Sequence, residues 1–341
     1  MWAQDTSKQP VKLHSFRLAF VMVLGLATIL LFLFAEFATR LLWGDEIHVQ
    51  YTTRALFNKN FYSANTNGWT PNAMGMCAGK TVRINALGLR GPEIALHSNQ
   101  EKILLLGDSV LFGPAVEEGE TIAEILRANT QECIINTAVI GLNSSSYVEV
   151  LQYWLQKTKP RRVLVFFCLN DAQNDTSFVQ DFSLANEFSR ALAQLRSRSK
   201  FYMLLKNAIS DRSKVYFEND RRFYQPEQPQ FEQTLKDFAA LQQLCAANEV
   251  ALDVVLLPYE YQLRNFAQAG IWLPQELLQA QLRAQGINCL AIDFSSFYGS
   301  RAKELYLYAD GIHLSKRGHQ LVAEQLESYL IPMSNFSTKS Y

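Results

Sequence analysis

Neither charge dominates this sequence: 32 Lys and Arg are balanced by 32 Asp and Glu across 341 residues, leaving a formal charge of zero. The positive field that nucleic-acid binding draws on is missing, and nucleic acid is excluded as a partner. Cysteine is scarce and unpatterned. Cys77, Cys133, Cys168, Cys245 and Cys289 form no CxxC and no Cys/His cluster, which removes zinc-ribbon and thioredoxin-like readings, and an odd count argues against a complete disulfide framework. They sit in or beside apolar runs and read as buried small hydrophobes. No internal repeat and no low-complexity tract is found. At 48% hydrophobic, 12% aromatic and only 19% charged residues, the chain can bury a substantial core and is no disordered polyampholyte. Its length admits one large domain or two smaller ones of roughly 100 to 200 residues each.

One segment departs from a soluble composition. Leu18 to Ala35 is a run of 18 uncharged, mostly apolar residues, close to the roughly 20 that cross a bilayer as a helix. A cleaved signal would end in an A-x-A-like site, but here the run continues into Glu36, Phe37 and Ala38 without one. An anchor is the expectation. Lys8, Lys12 and Arg17 precede the span and only Arg40 directly follows it, so the positive-inside bias puts the N-terminus in the cytoplasm and the rest outside, in the periplasm of a diderm bacterium. Glu36 and Arg40 are spaced to pair one helical turn apart, and Trp43 falls where interfacial aromatics are enriched.

The chain therefore divides into a cytoplasmic stub with its anchor (1–43), an irregular linker or N-terminal lobe without clear periodicity (44–100), a main domain (101–331) and a short tail (332–341). In the main domain, the strand-like runs KILLLG, CIINTAV, RRVLVFFCL, ALDVVLL and NCLAIDF are almost continuously apolar, as strands of a parallel sheet covered on both faces are. Helical patterns lie between them at about 120–129, 144–157, 232–248, 275–285 and 316–330. This alternation predicts a doubly wound α/β domain. Residues 175–230 are an insertion, helical in its first half and, in DRSKVYFENDRRFYQPEQPQ, polar and turn-rich.

Ligands of such sheets bind outside the carboxyl ends of the strands, and four motifs fall there. They are Gly107-Asp108-Ser109-Val110-Leu111-Phe112-Gly113, Asn136 to Gly141, Asn170-Asp171, and Asp310-Gly311-Ile312-His313. A serine in a glycine-containing turn is ordinarily a turn or cap residue. A serine hydroxyl becomes a nucleophile when a neutral imidazole accepts its proton, and a carboxylate that fixes the tautomer stabilises the imidazolium formed. Asp310 and His313, three residues apart on one loop, can supply both.

Together these blocks resemble the SGNH (GDSL-type) hydrolase superfamily, whose marks are GDSxxxG, a glycine after the second strand, GxND, and DxxH before the last helix. The resemblance spans about residues 102–330 and implies a flavodoxin-like sheet. It implies Ser109 as nucleophile, His313 as general base, Asp310 as its orienter, and an oxyanion hole of the Ser109 and Gly141 amides with the Asn170 side chain. Cys168 departs from the pattern by taking the glycine position of GxND. No metal or cofactor is implied. His319 reads as a packing or capping residue, His14, His48 and His97 have no chemical context, and Asp108 and Asp171 read as acceptors for turn amides.

The sequence INALGLRGPE resembles a lead-in of anchored bacterial SGNH proteins in envelope polysaccharide systems. The expected activity is a serine esterase removing acyl groups, acetyl foremost, from an envelope glycan or another O-ester, anchored in membrane lipid. Two alternatives are an O-acyltransferase served by a multispanning membrane partner and an inactive scaffold subunit beside such an enzyme. The aromatic and leucine-rich helix near 178–205 reads as packing, with a lid or membrane-facing role as its alternative.

Overall fold

A computed structural model describes residues 10–44, 46–64, 66–173, 187–225 and 227–330. The first nine residues of the stub, the tail 332–341 and residues 175–186 of the insertion lie outside the described residues.

Helix α1, Pro10–Trp43, holds the apolar run. The most apolar 18-residue window within Phe16–Trp43 has a mean hydropathy of 2.8, and none of it is buried. The Arg40 guanidinium meets Glu36 at 2.7 Å, as their spacing predicts. Four short strands follow, β1 (Phe57–Asn58) with β2 (Gly68–Trp69) and β3 (Met74–Cys77) with β4 (Lys80–Arg83), each pair antiparallel. Their brevity explains the missing periodicity. The stretch after β4 winds around one side chain: Asn85 Oδ1 accepts from the Leu87 and Leu89 amides, both at 3.0 Å, and Nδ2 donates to the Pro92 carbonyl at 2.8 Å. That loop delivers Leu89 and Arg90 into the interior.

The main domain is a five-stranded parallel sheet of β5 (Lys102–Gly107), β6 (Cys133–Asn136), β7 (Arg162–Phe167), β8 (Ala251–Leu256) and β9 (Asn288–Leu290), in the order β6-β5-β7-β8-β9. This is the doubly wound order in which the first two strands lie side by side and the later ones add beyond the first. The strands are β-branched and leucine-rich because helices cover both faces, leaving no wet side to alternate toward. A short helix α2 (Ser109–Phe112) follows β5, then α3 (Ile122–Asn129), and α4 (Ser144–Thr158) follows β6.

The insertion after β7 contributes α5 (Glu187–Arg198), α6 (Lys200–Ile209) and α7 (Arg212–Asp220), and α8 (Pro229–Ala247) leads into β8. Helices α9 (Glu260–Arg264) and α10 (Leu273–Ala284) precede β9, and α11 (Lys316–Leu330) closes the domain. Helix α3 packs with α11, and α4 with α8. The expected turn-rich stretch from 211 is corrected by α7. Its polar sequence hides a helix because Asp211 caps it, accepting from the Lys214 amide at 3.1 Å, while Ser213 and Phe217 are buried. All five cysteines are buried and unpaired.

Candidate active site

The Ser109 motif is built by β5 ending in a tight turn. Asp108 caps α2, its Oδ1 accepting from the Val110 amide at 2.8 Å. Helix α2 stops after one turn on Gly113, whose φ of +77° suits the left-handed cap and where a side chain would be crowded, a Cβ there falling 3.0 Å from the His319 ring. Ser109 thus opens a helix, where its own amide has no intrahelical acceptor.

The last motif folds against it. Asp310 Oδ1 accepts from the Ile312 amide at 3.0 Å, the His313 amide at 2.8 Å and His313 Nδ1 at 2.9 Å. His313 Nε2 lies 2.9 Å from Ser109 Oγ, across 204 residues of sequence. Gly311, at φ +85°, makes the turn between them possible and touches Ser213 of α7 so closely that a Cβ would fall 2.3 Å from the serine Cβ. Its carbonyl accepts from the Glu260 amide at 2.9 Å.

Charges in this group reinforce one another. Burial disfavours a charged His313 ring, yet the Asp310 carboxylate beside it outweighs that cost and raises its pKa above 6.5. Burial likewise opposes the Asp310 charge, but the ring's charge and hydrogen bonds hold the carboxyl well below the usual carboxylate range. Behind α2, His319 is fully buried, its pKa pushed down to about 3 by that burial, and its Nδ1 accepts from the Ile122 amide at 3.3 Å. It packs and caps, as expected.

Asn170 Nδ2 donates to Asp108 Oδ2 at 3.2 Å, and its Oδ1 lies 3.2 Å from the Tyr259 hydroxyl. The amide nitrogen is therefore held on the Ser109 side. Cys168, in the glycine position of GxND, has φ −115° and ψ 159°, an extended conformation open to any residue, so the departure leaves the turn intact. The Cys168 amide donates to Asp171 Oδ2 at 2.8 Å, so Asp108 and Asp171 both serve turn amides. Gly141 is exposed in the turn after β6, at φ +83°.

The sequence matches no family model and no curated protein. Solved structures similar to it include the psychrotrophic esterase EstA from Pseudoalteromonas sp., 15% identical at a TM-score of 0.41, covering 67% of this chain and 94% of that one. A lipase/acylhydrolase from Enterococcus faecalis is 18% identical at 0.39, covering 68% and 98%. A GDSL-like lipase from Bacteroides thetaiotaomicron is 13% identical at 0.39, covering 68% and 89%. Likeness this distant carries no chemistry, which rests on the geometry of Ser109, His313 and Asp310.

Several residues of this site escaped the motifs. Arg90, at 4% exposure, donates to the carbonyls of Phe112 at 2.6 Å, Gly113, and Val116 at 2.8 Å, and its guanidinium lies 4.9 Å over the Phe112 ring. Trp69 stacks on the same ring at 4.4 Å and donates to the Ala138 carbonyl at 2.9 Å. The N-terminal lobe thereby grips the turns after both β5 and β6. The one available signal was the position of Arg90 in INALGLRGPE, ahead of β5. Tyr259 is fully buried, its hydroxyl 2.5 Å from Asp220 Oδ2.

His48, which had no context in the sequence, lines a crevice of 1620 Å³ together with Arg40, Lys200, Arg212, Tyr308 and Asp310. This crevice reaches Asp310 from behind; Ser109 and His313 are not in its walls. Burial pushes the His48 pKa down to about 4.

Proposed function

We propose that this chain is a serine esterase working through an acyl-serine intermediate, with Ser109 as nucleophile, His313 as general base and Asp310 as its orienter. One observation carries this reading: the continuous relay from Ser109 Oγ to His313 Nε2 and from His313 Nδ1 to Asp310 Oδ1, each step 2.9 Å. In the first half-reaction Ser109 Oγ attacks the ester carbonyl as its proton passes to His313 Nε2, and Asp310 stabilises the imidazolium. The oxyanion hole in this reading is the Ser109 and Gly141 amides with Asn170 Nδ2, donors that stabilise the charge as it forms. His313 then returns the proton to the departing alkoxide as the acyl–oxygen bond breaks. Water repeats the sequence in the second half-reaction, with His313 again as base, and releases the acid.

The substrate proposed is an O-ester, acetyl on an envelope glycan foremost, met by a domain that α1 tethers outside the cytoplasmic membrane. Supporting the tether are the length and apolarity of Phe16–Trp43 and the cations that precede it.

A fluorophosphonate probe should label the detergent-solubilised protein, with labelling abolished in Ser109→Ala and greatly reduced in His313→Ala. Undiminished labelling of Ser109→Ala would remove the enzyme reading. The protein should then hydrolyse p-nitrophenyl acetate and fall off as the acyl chain lengthens; a preference for long chains would move the substrate to lipids. Added oligosaccharide that emerges acylated would make the chain an acyltransferase. An external reporter fused after Tyr341 should be active, and an inactive one would overturn the orientation.

A further inference from the structure

The insertion is joined to the apolar helix itself. Among the described residues of α1 from Phe16 on, Phe32, Ala35, Glu36, Ala38 and Thr39 are those shielded from solvent, a stripe at helical spacing in the part that ends the apolar run. Helix α6 covers this stripe. The Glu36 carboxylate caps it, accepting from Ser199 Oγ at 2.7 Å, the Lys200 amide at 3.1 Å and the Phe201 amide at 2.9 Å. One turn deeper, Phe32 meets Phe201 edge to face at 5.8 Å. Phe32 lies 11 residues before Trp43, about 16 Å along the helix axis at 1.5 Å per residue. Phe201 is therefore level with the last turns of the span.

Helix α6 nevertheless leaves apolar side chains uncovered. Leu205 is 47% exposed and Ile209, one turn on and on the same face, 77%. The preceding α5 also exposes Leu192 and Leu195. Basic residues accompany them: Arg196 and Arg198 end α5, and Lys200 and Lys206 lie on α6. An apolar face bordered by Lys and Arg is the composition of a helix lying in a membrane interface.

We infer that α6 is seated in the outer leaflet of the bilayer that α1 spans, with Leu205 and Ile209 in contact with lipid and the neighbouring cations at the headgroups. This rests on the anchoring of α1 and adds to it a second, lateral attachment. The far end of α6 is tied to the catalytic loop, Asn207 Nδ2 donating to the Tyr308 hydroxyl at 3.1 Å, and at the start of α7 Arg212 Nη1 donates to the Ala309 carbonyl at 2.9 Å. A ten-residue helix, about 15 Å long, thus connects the level of Glu36 with the loop bearing Asp310 and His313. The attachment holds the site at the bilayer surface and fixes its orientation there. A tether through α1 alone would leave it free to turn.

The test uses the full-length protein in liposomes of zwitterionic and anionic lipids with acyl chains brominated near the headgroup. Leu205→Cys and Ile209→Cys, each labelled with an environment-sensitive fluorophore, should lose most of their emission on the brominated lipids. So should Leu26→Cys, within the span. Asn248→Cys, at the opposite end of the sheet before β8, should be unaffected. Fluorophosphonate labelling of each variant verifies the fold and reports separately on the catalytic reading. If Leu26→Cys is quenched while positions 205 and 209 behave like 248, the seating of α6 is wrong and the anchor stands. If Leu26→Cys is unquenched as well, the anchor fails and the inference falls with it.

Discussion

Replacing Arg90 tests how far the N-terminal lobe supports the nucleophile. Its guanidinium serves the carbonyls of Phe112, Gly113 and Val116, all buried. In Arg90→Met the side chain keeps much of its volume but the three acceptors lose their donor. An unsatisfied buried acceptor costs about 1–3 kcal/mol, so the gross loss is roughly 3–9 kcal/mol. Against this stands the desolvation of a buried cation, several kcal/mol that the variant no longer bears; burial is what lowers the Arg90 pKa. The net expectation is a destabilisation of about 2–4 kcal/mol, or roughly 4–16 °C in Tm at ~2–4 °C per kcal/mol for a large domain. Arg90→Lys should recover only part, because one ammonium cannot span three carbonyls. Thermal unfolding by circular dichroism reads the first effect. Fluorophosphonate labelling well below Tm reads the second: slower reaction of Ser109 as the turn carrying it loosens. An Arg90→Met protein that melts with the wild type and labels at its rate would refute the bracing role.

The pH dependence follows from the His313–Asp310 pair. Labelling needs a neutral imidazole, so its rate should rise with pH through a midpoint above 6.5, and in Asp310→Asn the midpoint should fall and the plateau drop by about 10³–10⁴-fold; an unmoved midpoint would disconnect the two residues. For stability the signs are opposite. The raised His313 pKa makes its contribution complete below 6.5 and lost as pH rises through the folded value, whereas the depressed Asp310 pKa makes its contribution present above 3.8 and lost on further acidification. Tm should therefore be highest in mildly acidic solution for this pair, by comparison with His313→Gln. Gly311→Ala adds left-handed strain of about 1–2 kcal/mol and a clash with Ser213, so labelling should fall sharply. Ser213→Gly in the same protein removes the two side-chain contacts but leaves the residue-213 Cα 2.7 Å from the new methyl and the strain in place, so recovery should be slight; a wild-type rate in Gly311→Ala would overturn the argument. The five cysteines, each under a tenth exposed, should react with a thiol reagent only after unfolding, and prompt reaction of the native protein would contradict their burial.

What could be read from the sequence was what repeats locally or is tied to short spacing. The strand runs from KILLLG to NCLAIDF declared a covered parallel sheet because a strand buried on both faces has no polar side to show. Asp310 and His313 could be paired from their three-residue separation, since a single turn joins carboxylate to imidazole. The helices at 144–158 and 316–330 were visible in their apolar spacing. Helix α7 was not, because its stability comes from a cap at Asp211 and from the burial of two side chains, neither of which changes its polar composition. The glycine missing from GxND looked like a defect, and only the φ at Cys168 shows that the turn does not require one.

Composition and spacing by themselves determined the fold class, the apolar helix and the residue types that could do acyl chemistry, because each depends on neighbours within a turn or a strand. The tertiary structure alone brought Ser109 within 2.9 Å of His313, set Arg90 and Trp69 behind the nucleophile's turn, placed His48 in one crevice with Asp310 and laid α6 against the end of α1. Those contacts join segments from about 20 to more than 200 residues apart, and folding makes them by closing the sheet and packing its connections. No periodicity along the chain records which loops will meet.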